Sequence, residues 1–174
     1  MAIVFQYGSN CLESEINSDK RLKGRASFID IAESIEHYKL NFNVYSQNRK
    51  CAAADIVRTD ENKTVWGVLY NIPDQLLSRE TASTNTKSFD AIEGEDKNYR
   101  RHWLLIRRPN GEISTALTYV AIRPKKRVKR TSLEYVKLII EGLREHNIPD
   151  DYIDEVKDVV KTHSPRLAKK IINL

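Results

Sequence analysis

The spacing of apolar residues changes once along this chain, at Arg123-Pro124, and that change constrains the fold more than any other feature. Before it, apolar residues alternate with polar ones or form short runs bounded by turn residues, which is the pattern of strands. After it, Leu133, Val136, Ile139, Ile140 and Leu143 recur three and four apart, the spacing of one helix face. Strands followed by helices predict an α+β fold with a curved or closed sheet. The strand-rich body spans about residues 1–124, and C-terminal helices span about 131–174. Such segregation argues against a doubly wound nucleotide fold. Gly8 stands alone, so neither a G-x-G-x-x-G turn nor a P-loop is present. A chain of 174 residues is expected to form a single domain over 1–174, with a core that needs no disulfide or metal staple.

Within the body, Ile3-Val4-Phe5-Gln6-Tyr7 reads as a strand stopped by Gly8-Ser9-Asn10. Asn10 is placed to cap a short helix that follows, with Glu13 three residues on as its partner. Residues 27–32 and 38–45 alternate, and Leu40, Phe42 and Val44 share one face. Residues 52–58 and 65–70 flank a polar stretch and predict a hairpin. Pro73 opens a short helix over 74–80, and the small polar residues 81–88 form an exposed loop. Residues 101–108 and 112–122 predict a second hairpin around Pro109-Asn110-Gly111. Ser132 is a plausible cap for the first C-terminal helix. Ile148-Pro149 breaks it, a second follows around Tyr152 to Val160, and a basic third begins at Pro165.

No run approaches the ~18 apolar residues needed to cross a bilayer. The apolar start, Met1-Ala2-Ile3-Val4-Phe5, lacks the basic flank and cleavage site of a signal peptide. With two cysteines, Cys11 and Cys51, a reducing cytoplasm and free thiols are expected. Neither cysteine belongs to a CxxC pair, and His37, His102, His146 and His163 lack ligand spacing, so no metal is expected. Cys11 sits where backbone N–H groups would stabilise a thiolate, but its plainer reading is a small, half-buried hydrophobe. Gly8-Ser9 lacks the second glycine of a serine-nucleophile elbow.

Two features carry chemistry. A turn after a strand, opening a helix, presents unpaired N–H groups to a carboxylate or an oxyanion. Glu93, between Ile92 and Gly94, is a carboxylate in partly apolar surroundings, where a raised pKa suits a general base. The net charge of +5 raises the alternative of a nucleic-acid partner, carried by Lys125-Lys126-Arg127-Val128-Lys129-Arg130 with Arg100-Arg101 and Arg107-Arg108. That run lacks interleaved aromatics and any recognition motif, so nucleic acid is not the expected partner.

Taken in order, these motifs resemble the γ-glutamyl cyclotransferase-like (AIG2-like) family. Phe5-Gln6-Tyr7-Gly8-Ser9-Asn10 is similar to its YGSN signature, and Val65-Trp66-Gly67-Val68-Leu69-Tyr70 to its V-x-G-x-x-Y strand. Phe89-Asp90-Ala91-Ile92-Glu93-Gly94 resembles its LDxxEG segment, with Phe89 for the usual Leu, and Tyr99-Arg100-Arg101 its Y-R-R. Tyr119, Tyr135, the stretch from Ile139 to Pro149 and Tyr152 resemble its last strand and helical tail. The resemblance implies a small mixed β-barrel with flanking helices. It also implies cleavage of a γ-glutamyl amide by the substrate's own α-amino group, giving 5-oxoproline and a free amine or amino acid without metal or organic cofactor. It assigns acid/base catalysis to Glu93 and substrate binding to Tyr7, Gly8, Ser9, Asn10, Cys11, Leu12 and Tyr99. A small-molecule γ-glutamyl substrate, no membrane, and a monomer or homodimer complete the expectation. The alternative is a non-catalytic small-molecule or nucleic-acid binding protein on the same fold. Some members carry a pocket tyrosine just after the last strand; Arg123-Pro124 and the basic run stand there instead.

Overall fold

The computed structural model describes residues 1–82, 87–125, 130–172 and 174. Five strands close into a barrel in the order β1 (Ala2–Gln6), β5 (Trp66–Ile72), β2 (Ser27–Ser34), β6 (Tyr99–Arg107), β7 (Ile113–Ala121). Closure comes from β7 meeting β1 in parallel, with Val4 opposite Leu117; the other four pairings are antiparallel. A closed ring leaves no free edge at which another chain could add a strand. On its strands Val4, Phe5, Leu69, Leu104 and Ile106 are each fully buried. The second hairpin forms as expected from the Asn-Gly turn, with β6 and β7 paired over nine residue positions.

The first hairpin does not form. Residues 51–58 are β4 (Cys51–Arg58), and they pair with β3 (Tyr38–Ser46) in a separate two-stranded arm, while β5 enters the barrel. The physical reason lies in the side chains. Strand β5 is buried along nearly its whole length and therefore needs a neighbour on each edge, which β1 and β2 supply. Strand β4 carries short Ala52, Ala53 and Ala54, which let hydroxyls take the place of a ladder. Tyr99 donates to the Ala54 carbonyl at 2.7 Å, and the Ala54 N–H donates to the Tyr135 hydroxyl at 3.1 Å. Thr131 donates to the Ala52 carbonyl at 2.8 Å. A buried backbone edge is thus satisfied by side chains rather than by a strand.

Short helices fill the connections. A 3-10 turn, Ser9–Cys11, runs into α1 (Glu13–Ile16); α2 (Phe89–Glu93) precedes β6; α3 (Leu133–Glu145), α4 (Asp150–His163) and α5 (Ala168–Ile171) form the tail. The helix expected after Pro73 is shorter than the 74–80 reading, a single 3-10 turn at Asp74–Leu76. Part of the expected loop, 83–86, and most of the basic run, 126–129, lie outside the described residues. Ser132 caps α3 by accepting from the Tyr135 N–H at 3.2 Å. Both cysteines are buried free thiols. Among the described residues, no helix is long and apolar enough to cross a membrane.

Helix α3 packs directly on the turn after β1. A Cβ on Gly142 would sit 2.3 Å from the Leu12 nitrogen and 2.6 Å from the Cys11 carbonyl carbon. Both are backbone atoms, so no side-chain rotation relieves the clash. Gly142→Ala is therefore expected to destabilise the protein by ~1–3 kcal/mol, the ordinary cost of overpacking. Chemical denaturation reads this directly, and an unchanged midpoint would contradict the packing described.

Candidate active site

Two elements bring the site together, and each is anchored for its own reason. The turn at residues 7–12 hangs from the end of β1. Its last two N–H groups are spent internally, Cys11 on the Gly8 carbonyl at 3.0 Å and Leu12 on the Ser9 carbonyl at 3.3 Å. The N–H groups of Gly8, Ser9 and Asn10 have no acceptor among the described residues. Opposite, α2 is capped at its start by Ser88, whose hydroxyl accepts from the Ala91 N–H, and ends at Gly94. Gly94 has φ 70°, a left-handed conformation that suits glycine, so the helix stops directly after Glu93. Buried Asp90 fixes the helix to the barrel. Arg101 grips both its oxygens at 2.9 and 2.7 Å, and the Tyr119 hydroxyl donates to it at 2.6 Å. This bidentate pair ties the segment that carries Glu93 to the strand that carries Arg101.

Between turn and helix lies a cavity of about 50 Å³, walled by Gln6, Tyr7, Gly8, Ser9, Asn10, Ala54, Glu93, Tyr99, Tyr119 and Tyr135. It adjoins an outer space of about 420 Å³ that shares Ser9, Asn10, Glu93, Tyr99 and Tyr135 and adds Arg21, Arg49 and Lys97. Glu93 accepts from the Asn10 amide at 2.7 Å. Arg21 donates to the other side of that amide, Asn10 Oδ1, at 2.6 Å, which turns the NH₂ group toward Glu93. Glu93 is half-buried as a residue, yet its carboxyl is enclosed. Burial pushes its pKa above the ordinary value, opposed by the charge of Arg21, the Asn10 hydrogen bond and the charge of Arg49.

The tyrosines are kept neutral. Burial raises the pKa of Tyr7, Tyr99 and Tyr119, and brings Tyr135 up to about 12. Three hydroxyl protons are committed: Tyr7 donates to the Tyr119 carbonyl, Tyr99 to Ala54 and Tyr119 to Asp90. Tyr135 accepts from Ala54, so its own proton is free to point at a ligand.

Of the sequence-derived candidates, Glu93, Tyr7, Gly8, Ser9, Asn10 and Tyr99 converge on the cavity. Cys11 and Leu12 do not line it. The Cys11 thiol is fully buried rather than half-buried; it faces the core, donates to the Gln6 carbonyl at 3.0 Å, and burial pushes its pKa up, against a thiolate. Leu12 lies against Gly142. Asn10 does not cap a helix: α1 starts after Leu12 without a side-chain cap, and the Asn10 amide turns to Glu93 instead. The sequence reading missed Gln6, Ala54, Tyr119, Tyr135, Arg21 and Arg49 as wall residues. Tyr135 supplies a pocket tyrosine from α3, twelve residues beyond Arg123. Among the described residues, no three His, Cys, Asp or Glu side chains gather as a metal site.

A family model described as the AIG2-like family matches residues 64–156. No curated protein sequence matches the chain. Among solved structures, one described as a gamma-glutamyl cyclotransferase superposes with a TM-score of 0.74 at 24% identity, covering 90% of this chain and 86% of its own. An uncharacterized protein from Homo sapiens gives the same figures. YkqA from Bacillus subtilis gives 0.66 at 18% identity, covering 92% of this chain and 54% of its own. At these identities the likeness establishes the fold.

The raised pKa of Glu93 has a sign that stability measurements can read. A carboxyl whose folded pKa lies above its unfolded value favours folding below the unfolded value, and that contribution is lost as pH rises through the folded one. Glu93→Gln keeps the acceptor for Asn10 and removes the buried charge. It is expected to melt higher than the parent at pH 8, the gain shrinking as pH falls toward 4.5. Melting below the parent at every pH would contradict the burial described.

Proposed function

The chain belongs to the AIG2-like family, and from that premise we propose that it is a γ-glutamyl cyclotransferase, converting a γ-glutamyl amide into 5-oxoproline and a free amine. The observation that carries this reading is the Glu93 carboxylate, enclosed beside the turn of Gly8, Ser9 and Asn10 and held by Asn10 at 2.7 Å. A pure binding pocket gains nothing from an enclosed carboxylate whose ionised form burial disfavours.

The substrate enters with its α-amino group protonated. Glu93 takes one proton, and the freed lone pair attacks the γ-carbonyl carbon to form a five-membered ring. Both reacting groups belong to one molecule, so holding it folded supplies much of the acceleration. The developing oxyanion is met by the unpaired N–H groups of the turn and by the Tyr135 hydroxyl. The C–N bond to the leaving amine then breaks as Glu93 hands its proton to that nitrogen. Two protons pass in total from the α-nitrogen to the leaving nitrogen, leaving a lactam N–H, a released ammonium and an ionised Glu93. Burial brings the Glu93 pKa closer to working pH, where a group that must both take and give a proton is most effective. Tyr7, Gly8, Ser9, Asn10 and Tyr99 shape the glutamyl-binding surface in this reading.

Glu93→Gln is expected to lower 5-oxoproline release from γ-glutamyl dipeptides by at least ~10²-fold with the fold intact. Full activity in that variant would overturn the mechanism. Gly8→Ala gives a second check. Its Cβ would lie 3.5 Å from the Tyr135 hydroxyl and 3.7 Å from the Ala54 Cβ, ordinary contacts that leave folding intact while narrowing the cavity. The expected result is a higher KM at parental melting temperature.

A further inference from the structure

The outer space carries positive charge that the chemistry above does not use. Arg21, Arg49 and Lys97 line it, and among the described lining residues Glu93 is the sole carboxylate. Glu15 answers the arginines only in part, since its Oε1 accepts from both Arg21 and Arg49. Arg21 is committed, with Nη2 on Glu15 and Nη1 on Asn10. Arg49 is different. It rises from the β3–β4 turn, and its guanidinium lies over the Tyr135 ring, 5.1 Å from the centroid, a contact that holds the group in place. Its Nη2 serves Ser9 and Glu15, while Nε and Nη1 have no acceptor among the described residues. Exposed Lys97 likewise has no side-chain partner among the described residues.

The inner cavity is the smaller of the two adjoining spaces, about 50 Å³ against about 420 Å³. The leaving nitrogen must face Glu93 to receive its proton, and Glu93 borders both spaces. The leaving portion therefore extends into the cationic outer space. Resting on the cyclotransferase reading, we propose that the leaving portion is anionic, with Arg49 receiving one carboxylate through its free donors and Lys97 a second. The preferred substrate class is a γ-glutamyl conjugate of an acidic amino acid rather than of a simple amine. Each free N–H of a guanidinium held in place makes a charge-assisted hydrogen bond to a carboxylate that a neutral leaving group cannot supply.

The test compares γ-glutamyl-aspartate, γ-glutamyl-alanine and γ-glutamyl-methylamide, whose leaving portions carry two, one and no carboxylates. The expected kcat/KM falls about tenfold from one carboxylate to none and about threefold from two to one. Arg49→Gln erases the first step and Lys97→Gln the second, both through KM. Raising salt from about 0.05 to about 0.5 M compresses the series, as screening requires. The salt series and Lys97→Gln keep the test decisive if Arg49→Gln misfolds. Equal turnover of all three substrates overturns the anionic leaving portion while the cyclotransferase reading stands. Absence of 5-oxoproline from all three overturns both.

Discussion

An enclosed carboxylate destabilises a fold unless its surroundings answer it, and Glu93 is answered by one hydrogen bond from Asn10 and by arginines one step removed. The chain of contacts is continuous. Glu15 holds Arg21 and Arg49, Arg21 holds the Asn10 carbonyl, and the Asn10 NH₂ group reaches Glu93. From the other side, Asp90, Arg101 and Tyr119 pin the helix that ends in Glu93. The two halves are 83 residues apart in sequence and meet only because the barrel closes between β1 and β7. Removing either support leaves the carboxylate either unheld or misplaced.

The barrel and the two-stranded arm divide the labour. The barrel fixes the end of β1 and, through Asp90, the end of α2. The arm lies over the cavity and carries Arg49 to its mouth. Two tyrosine hydroxyls join arm to site: Tyr99 from β6 and Tyr135 from α3 both bond Ala54, and both line the cavity. Helix α3 completes the arrangement by seating Gly142 on the turn backbone. The same contacts that satisfy a buried strand edge therefore also build the pocket wall.

Local signals were legible and distant ones were not. The Asn-Gly turn, the Ser132 cap and the glycine after Glu93 each act within a few residues, and each appears where the sequence places it. Glu93 and the turn of Gly8, Ser9 and Asn10 were legible as chemistry because a carboxylate beside glycine and a strand-ending turn are local patterns. Asn10 illustrates the limit. Three residues before an acid it reads as a helix cap, while its partner lies in another element altogether. Strands β4 and β5 look like a hairpin because proximity in sequence is the only pairing signal available there. Alanine-rich β4 instead finds hydroxyl partners whose positions depend on the whole fold. Arg21 and Arg49 sit in polar turns without periodicity, so no pattern marks them. The excess charge is also redistributed: Arg101, Arg107 and Arg108, counted toward a nucleic-acid surface, are paired with Asp90, Glu33 and Glu112.

The central claim is that Glu93 carries the protons of a cyclisation from an environment that raises its pKa. Its most direct test is the pH dependence of 5-oxoproline formation from a γ-glutamyl dipeptide. An acidic limb is expected above the ordinary carboxylate value of 4.5, shifted further upward in Arg21→Gln because the charge of Arg21 holds the Glu93 pKa down. A limb at or below 4.5 that Arg21→Gln leaves in place would contradict it.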